Sequence, residues 1–403
     1  MEMYLLKLKE INKSFLDVLK SEPISFWIDS SGGPENLCNN SFYGAAPKYY
    51  VYGSLNEVYL LESDSGAITY ASVNCFDFIE EKINEEKHNE NGIFIGYFAY
   101  DLSDFFFAYF EKTYNVIASE VTSLAFLKPP CSDELCSNMT DAEYLEKVKQ
   151  IKDEIKAGNV YQANLTREYS LAVKDVNEVE LYLKLREVSP NPYGGFFKTP
   201  FLSILSSSPE EFLYIDPIGS NPRQIRTRPI KGTLPKSVFE VDPKNKAENI
   251  MIADLERNDL GRICEYGSIK ADKLLEIESY EHLNHVVSTV EGNLKPGTSL
   301  REIFNAVFPG GSITGAPKIV AVKIIDNIEP TNRGAYTGSF GYIKTDGTMN
   351  FNILIRTIFL KKERLSFNVG GGIVADSNPE DELEEINLKA KGIMNTLGVG
   401  EVN

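Results

Sequence analysis

Strand-like and helix-like segments follow one another in uneven runs along this chain, and that order constrains its fold more than any other feature. A doubly wound parallel sheet needs strict β-α-β alternation, so the runs point to the α+β class. A helix is predicted from Thr140: Thr140 and Glu143 form a capping box, Tyr144, Leu145, Val148, Ile151 and Ile155 recur at helical spacing, and Gly158 supplies the stop. From Ala163 the period drops to two, with Leu165, Arg167, Tyr169, Leu171 and Val173 on one side of a strand. Further strands are expected over 48–61, 92–100, 201–205, 337–342, 350–360 and 365–369, and helices over 245–263, 299–307, 316–325 and 379–397. The polar stretch 80–91 reads as a solvated loop. Residues 128–138, with Pro129 and Pro130 and little periodicity, read as a linker between a region 1–130 and a region 138–400.

At 403 residues the chain exceeds what one core usually serves. Its 41 basic and 58 acidic side chains leave a net charge of −17, which argues against a nucleic-acid backbone as partner but not against a small anion in a local pocket. No apolar run reaches the roughly 18 residues of a membrane-spanning helix, and residues 1–10 hold no signal-peptide core. The five cysteines (Cys38, Cys75, Cys131, Cys136, Cys264) are odd in number and scattered, with no second pair to complete a zinc site beside Cys131 and Cys136. A reduced, cytoplasmic, soluble protein is expected.

Several clusters could carry chemistry. Residues 308–318 form a glycine-rich turn ahead of a helix, whose N–H groups could hold an anion. Ala316 and Pro317 stand where a nucleotide-binding loop needs Lys and Ser or Thr, so a triphosphate site is not indicated. Gly370, Gly371 and Gly372 follow a strand, where bare backbone admits close approach. Arg223, Arg226 and Arg228 lead to Lys231, which is either an amine depressed by its cationic neighbours into a nucleophile or a plain carboxylate binder. Glu248 shares a helix face with Ile252, Leu255 and Asp259, so its carboxylate needs a partner. With only His88, His282 and His285 present, an oxygen-ligated Mg²⁺ is favoured over zinc. His285 sits in an apolar run, as a structural residue or a donor to a leaving group. In the last helix Leu383, Ile386, Ala390, Ile393 and Leu397 make an apolar stripe; Glu382, Glu385 and Lys389 make a second one, which taken alone is a solvent-facing ladder.

In this order the stretches 228–235 (RPIKGTLP), 247–259, 279–288, 309–318, 356–357, 370–377 and 382–389 resemble the chorismate-utilising enzymes. That family includes anthranilate synthase component I, isochorismate and salicylate synthases, and aminodeoxychorismate synthase component I. The resemblance is strong from Thr140 onward and loose over the first third. Before Gly232-Thr233 the anthranilate synthases carry PIAGT and the aminodeoxychorismate synthases PIKGT. Lys231, with 312–315 (SITG), resembles the second branch, on the route to 4-aminobenzoate and folate.

The resemblance implies two large, mostly antiparallel sheets packed near orthogonally and flanked by helices, with both regions sharing one core. It implies Mg²⁺ held by Glu248 and Glu385, with Glu382 a further or water-mediated ligand. It makes Lys231 the nucleophile at C2 of chorismate, Glu210 the acid at the C4 hydroxyl, and His285 a neighbour of the reacting ring. Gly232, Thr233, Ser312, Thr314, Tyr336, Arg356, Gly370, Gly371, Gly372 and Lys389 fall at substrate-contact positions. Ammonia would come from a separate glutamine amidotransferase subunit (component II), since this chain offers no glutaminase constellation; a monomer or heterodimer without nucleic acid or membrane is implied. A tryptophan pocket of relatives falls on Ser30, Pro192, Tyr193 and Gly194, where the match is poor. The rival readings are an anthranilate- or salicylate-type synthase on the same substrate, and a chorismate-binding subunit without turnover.

Overall fold

Two antiparallel sheets, of ten and twelve strands, run through the computed structural model of the chain, which describes residues 15–38, 41–116, 135–281 and 283–399. Near one end of the first sheet Gln162–Ala172 and Arg364–Val374 pair without a break, from Gln162 opposite Val374 to Ala172 opposite Arg364. The second runs from Ile230–Pro235 and Leu283–Asn293 through Met349–Ile353 to Tyr49–Ser54 and beyond. The first third feeds both sheets: Ser25–Asp29 pairs into the first and Ile93–Phe98 into the second. The α+β class and the two-sheet architecture read from the sequence are therefore those of the structure.

Apolar side chains fill three layers. Phe26, Phe197 and Ile204 of the first sheet meet Ile95, Phe106 and Phe340 of the second. Behind the first sheet lie helices Asp141–Lys156, Glu178–Val188 and Pro379–Leu397; behind the second lie Cys75–Glu86, Pro243–Gly261 and Leu300–Val307. Local signals explain the helix ends. Thr140 and Ser299 each close a capping box, and Asn378 caps the last helix ahead of Pro379, which needs no amide partner there.

Three expectations fail. Residues 80–91 are a loop only from 87 onward: helix Cys75–Glu86 starts before the polar stretch, and Phe76, Ile79 and Ile83 are buried at its three- and four-residue spacing. Charged residues between those positions hid an amphipathic face. Residues 350–360 are not one strand either. Met349–Ile353 lies in the second sheet and Thr357–Lys361 in the first, and the chain changes sheet through Arg356 at φ 52°. Finally, Gly370–Gly372 do not end a strand; they lie inside Arg364–Val374. Residues 1–10, 128–134, Cys131 and His282 fall outside the described residues, whereas Cys136–Ser137, at the end of the expected linker, pairs with the edge of Gln162–Ala172.

Phe76 stacks on Phe304 at 4.8 Å and tilts against Phe98 at 5.0 Å. Phe76→Ala should therefore cost about 3–5 kcal/mol, read as a lower midpoint in urea unfolding. A loss near zero would mean that the 75–86 segment does not pack in the core.

Candidate active site

Lys231 stands on Ile230–Pro235, at the edge of the second sheet. Its amine faces the first sheet: a Cβ placed on Gly372 would lie 3.3 Å from Lys231 Nζ and 2.8 Å from Gln162 Nε2. Only glycine leaves room there. On the far side of Gly371 the same construction meets Glu382 Oε2 at 3.3 Å and Glu385 Oε1 at 4.0 Å. Beyond Phe367 no described strand pairs on the side of Thr357–Lys361, and Lys389 Nζ donates to Gly370 O at 2.9 Å.

The electrostatics follow from burial. Desolvation pushes the Lys231 pKa down, against the pull of Glu248, and Lys389 adds to the depression. Lys231 is partly exposed along its stem, but its amine lies inward against Gly372. The three arginines play no part. Arg223 holds Asp216 O and Gly347 O, Arg226 makes a two-pronged pair with Glu211, and Arg228 binds Glu278 and Tyr193. The sequence argument from clustered guanidinium groups is thus replaced by burial and a single distant lysine.

Glu210 is 3% exposed, and burial raises its pKa, although the Ser312 hydroxyl, Lys231, the Ile230 N–H at 3.3 Å and Arg356 all oppose this. Such a carboxyl stays protonated at a pH where a surface glutamate would be ionised. Ser312 Oγ faces it without completing a well-formed hydrogen bond to any group.

Arg356 donates to His285 Nε2 at 3.3 Å, while His285 Nδ1 faces Thr233 Oγ1 at 3.2 Å. A guanidinium can only donate, so Nε2 accepts and the imidazole is neutral. Burial and then Arg356 hold its pKa well below the usual value. His285 therefore seats the arginine and has no proton on Nε2 to give. No carboxylate pairs with Arg356 among the described residues, which leaves a buried guanidinium ready for an anion. The Tyr336 ring is buried and its pKa is pushed up by burial.

Glu248, Glu382 and Glu385 come from two helices that meet here. Burial raises the Glu248 pKa; Lys231 and Lys244 oppose this while Glu382 and Glu385 add to it. Burial alone would raise Glu385 as well, but Lys389, Lys244 and Lys231 outweigh it and hold it low. Lys389 pairs with Glu385 at 2.6 Å, half exposed, so part of the expected surface ladder is real. Glu382 is instead buried, accepting from Ser377 Oγ at 2.6 Å with Lys244 at 3.5 Å. Among the described residues no three acidic, thiol or imidazole groups already converge as ligands. The donor set still fits a hard divalent cation: it is all carboxylate oxygen, mutually repelling, and neutralised only by movable lysines.

Not every expected contact faces the site. The Thr314 hydroxyl is spent on Gly310 O and Gly311 O. The 310–314 turn is not an anion cradle, because the Gly311 N–H is taken by Glu256 and the next helix begins only at Lys318. Ser30, Pro192, Tyr193 and Gly194 do come together, around a cavity of about 40 Å³ next to Phe340 and Tyr342. A larger cleft of about 770 Å³ lies between Pro243–Gly261 and Lys270–Ser279 and holds none of these residues. Gln162 was missed by sequence reasoning. It is fully buried beside Lys231, and neither its amide nitrogen nor its oxygen has a partner. The polar face Gln162, Asn164, Thr166, laid against a glycine run on the partner strand, was the available signal.

A two-sheet α+β scaffold with a depressed lysine, a raised carboxyl and a spare guanidinium around one recess defines an enzyme class that works on a small anion. A model of chorismate binding enzymes matches residues 126–395, and the chain belongs to that family. The chloroplastic aminodeoxychorismate synthase of Arabidopsis thaliana is 41% identical over 300 residues, 71% of this chain and 31% of that protein. Aminodeoxychorismate synthase component 1 of Bacillus subtilis is 37% identical over 286 residues, 68% of this chain and 60% of that one. The chain thus spans less than two thirds of either relative. Anthranilate synthases stand among the relatives too. The crystal structure of anthranilate synthase component I from Streptococcus pneumoniae superposes with a TM-score of 0.72 at 24% identity, over 96% of each chain, and so shares the fold.

Gly372→Ala should lower kcat/KM about 100-fold, the cost of misplacing reacting groups by roughly 1 Å, with thermal stability little changed. Full activity in that variant would remove Gln162 and Lys231 from a common site.

Proposed function

We propose that the chain acts as an aminodeoxychorismate synthase component I, turning chorismate and ammonia into 4-amino-4-deoxychorismate for 4-aminobenzoate and folate synthesis. The observation that carries this reading is Lys231, a buried, depressed amine, at the position that differs between branches of the family. The amine adds to C2 of the ring while the Glu210 carboxyl gives its proton to the C4 hydroxyl, which leaves as water. Ammonia then forms the C4–N bond and the C2–lysine bond breaks, restoring the ring double bond; the ionised Glu210 is the base at hand for the ammonium proton. Covalent catalysis divides one allylic displacement into two easier steps.

Arg356, oriented by His285, would pair with a substrate carboxylate, and the unpaired Gln162 amide would hydrogen-bond the ring substituents beside Lys231. Glu248 and Glu385, with Glu382, would hold Mg²⁺, which supplies charge neutralisation to a carboxylate when bound. The name component 1 carried by the Bacillus subtilis relative supports an amidotransferase partner as ammonia source. No described helix is long and apolar enough to cross a membrane; a cytoplasmic site of action belongs to this reading.

A second reading, anthranilate synthesis, draws support from the anthranilate synthases among the relatives. Incubation with chorismate, Mg²⁺ and ammonium is expected to give 4-amino-4-deoxychorismate. Anthranilate and pyruvate would establish the second reading instead, and binding without turnover would leave a ligand-binding subunit. Without ammonium, intact mass spectrometry should find an adduct that disappears in Lys231→Ala.

The pH profile carries a sign. Lys231 must be neutral and Glu210 protonated, so kcat rises as pH climbs through the lysine pKa and falls as it climbs through that of the acid. A bell-shaped profile is expected; a flat one would sink this pair of roles.

A further inference from the structure

One buried acid has no place in the chemistry above. Glu256 lies two turns beyond Glu248 on Pro243–Gly261 and is 2% exposed. Its Oε1 accepts from the Gly311 N–H at 2.9 Å, and its Oε2 has no hydrogen-bond partner. Three charged groups face it: Lys318 at the start of the next helix, Asp259 one turn along its own helix, and Glu210. Lys318 is itself occupied by Asp259 and by Val307 O. Burial first, then Asp259 and Glu210, push the Glu256 pKa up to about 7, against Lys318 and the Gly311 N–H.

The peptide that Glu256 grips precedes Ser312, whose hydroxyl faces the Glu210 carboxyl. On the other side of Ser312, Ile313 O accepts from Arg333 Nη1 at 2.8 Å and from Asn164 Nδ2 at 3.2 Å. Ser312 is thereby clamped from both flanks, and Glu256 is the clamp on the N-terminal one. Gly311 permits it: a Cβ there would stand 2.7 Å from Glu256 Oε1 and 2.9 Å from Leu255 Cδ2.

We propose that Glu256 is a positioning residue for the reaction, holding the Gly311 peptide so that the buried Ser312 hydroxyl, which has no hydrogen-bond partner in the structure, is placed to donate to Glu210 as that acid ionises. Ser312 steadies the carboxylate that forms when Glu210 gives up its proton, so the benefit falls on the step in which the acid ionises and not on substrate binding. The proposal rests on the reading of Glu210 as the acid.

The test compares Glu256→Gln, Glu256→Ala, Ser312→Ala and the Glu256→Ala/Ser312→Ala double variant in the full chain, with ammonium as nitrogen source. Wild-type turnover of chorismate is the control for the functional reading and is settled before the variants are compared. Glutamine keeps an acceptor for Gly311, so Glu256→Gln should retain kcat within about threefold. Glu256→Ala and Ser312→Ala should each lose about tenfold in kcat, the scale of one transition-state hydrogen bond of about 1.4 kcal/mol, with KM for chorismate nearly unchanged. Because both act on one contact, the double variant should be no worse than the weaker single one. Losses that multiply, a Glu256→Gln variant as damaged as Glu256→Ala, or a loss confined to KM would each overturn the proposal. Equal thermal midpoints, expected across the set, exclude simple unfolding. If Glu256→Ala does not fold, the Glu256→Gln and Ser312→Ala pair decides: a tenfold loss in the first or none in the second counts against it.

Discussion

A buried amine costs desolvation energy unless charge of opposite sign stands near, and the site is arranged around that requirement at Lys231. Glu248, Glu210 and Glu385 draw its proton on, while burial and Lys389 drive it off, and the second group wins. The balance matters because a fully paired lysine would be held as an inert cation, and a wholly unpaired one would be expelled to solvent. The same charges act on their partners in reverse: Lys231 restrains the rise of the Glu210 and Glu248 pKa values. Removing any one member moves the others, so the residues titrate as a set.

That set forms where the margins of the two sheets come together. Lys231 comes from the edge of the second sheet, and Gln162 with Gly370–Gly372 from strands near one end of the first. Arg356 sits on the crossing itself, in a left-handed conformation that costs of order 1–3 kcal/mol for a residue with a side chain. The strain is sustained because flanking strands are fixed in different sheets and the peptide between them has no other route. Helix Pro243–Gly261 then ties the elements together: Asn249 donates to Lys231 O at 3.3 Å and to Val286 O at 3.1 Å, holding the Lys231 strand to its neighbour.

How much of this was legible in the sequence depended on whether a signal was local. Capping boxes at Thr140 and Ser299 and the apolar stripe of Pro379–Leu397 are local, and those helices stand where expected. The switch of sheet at Arg356 is not local. Residues 350–360 keep a strand-like composition on both sides of it, and nothing in one strand says which sheet its neighbour joins. Lys231 was legible as an unusual amine but for the wrong physical reason, since sequence proximity of three arginines did not survive their separate pairing with Glu211, Glu278 and backbone carbonyls. Gln162 and Glu256 escaped notice because the first is marked by having no partner and the second by a distant one, the Gly311 N–H, and only packing reveals either.

The walls of the recess differ in stiffness, and the difference follows from what holds each. One wall is backbone: a strand pairing with no break from Gln162 to Ala172, and a turn fixed by Glu256, Asn164 and Arg333. The opposite wall is a pair of long side chains, Lys389 and Glu385, each about half exposed, joined by an ion pair that solvent weakens. Lys231, Glu210 and Arg356 come from neither wall: the first two stand on or beside strands of the second sheet, and the third on the crossing between the sheets. Backbone and rotamers thus hold neighbouring groups with different stiffness, and the Lys389–Glu385 pair is the part that can shift without breaking a strand pairing.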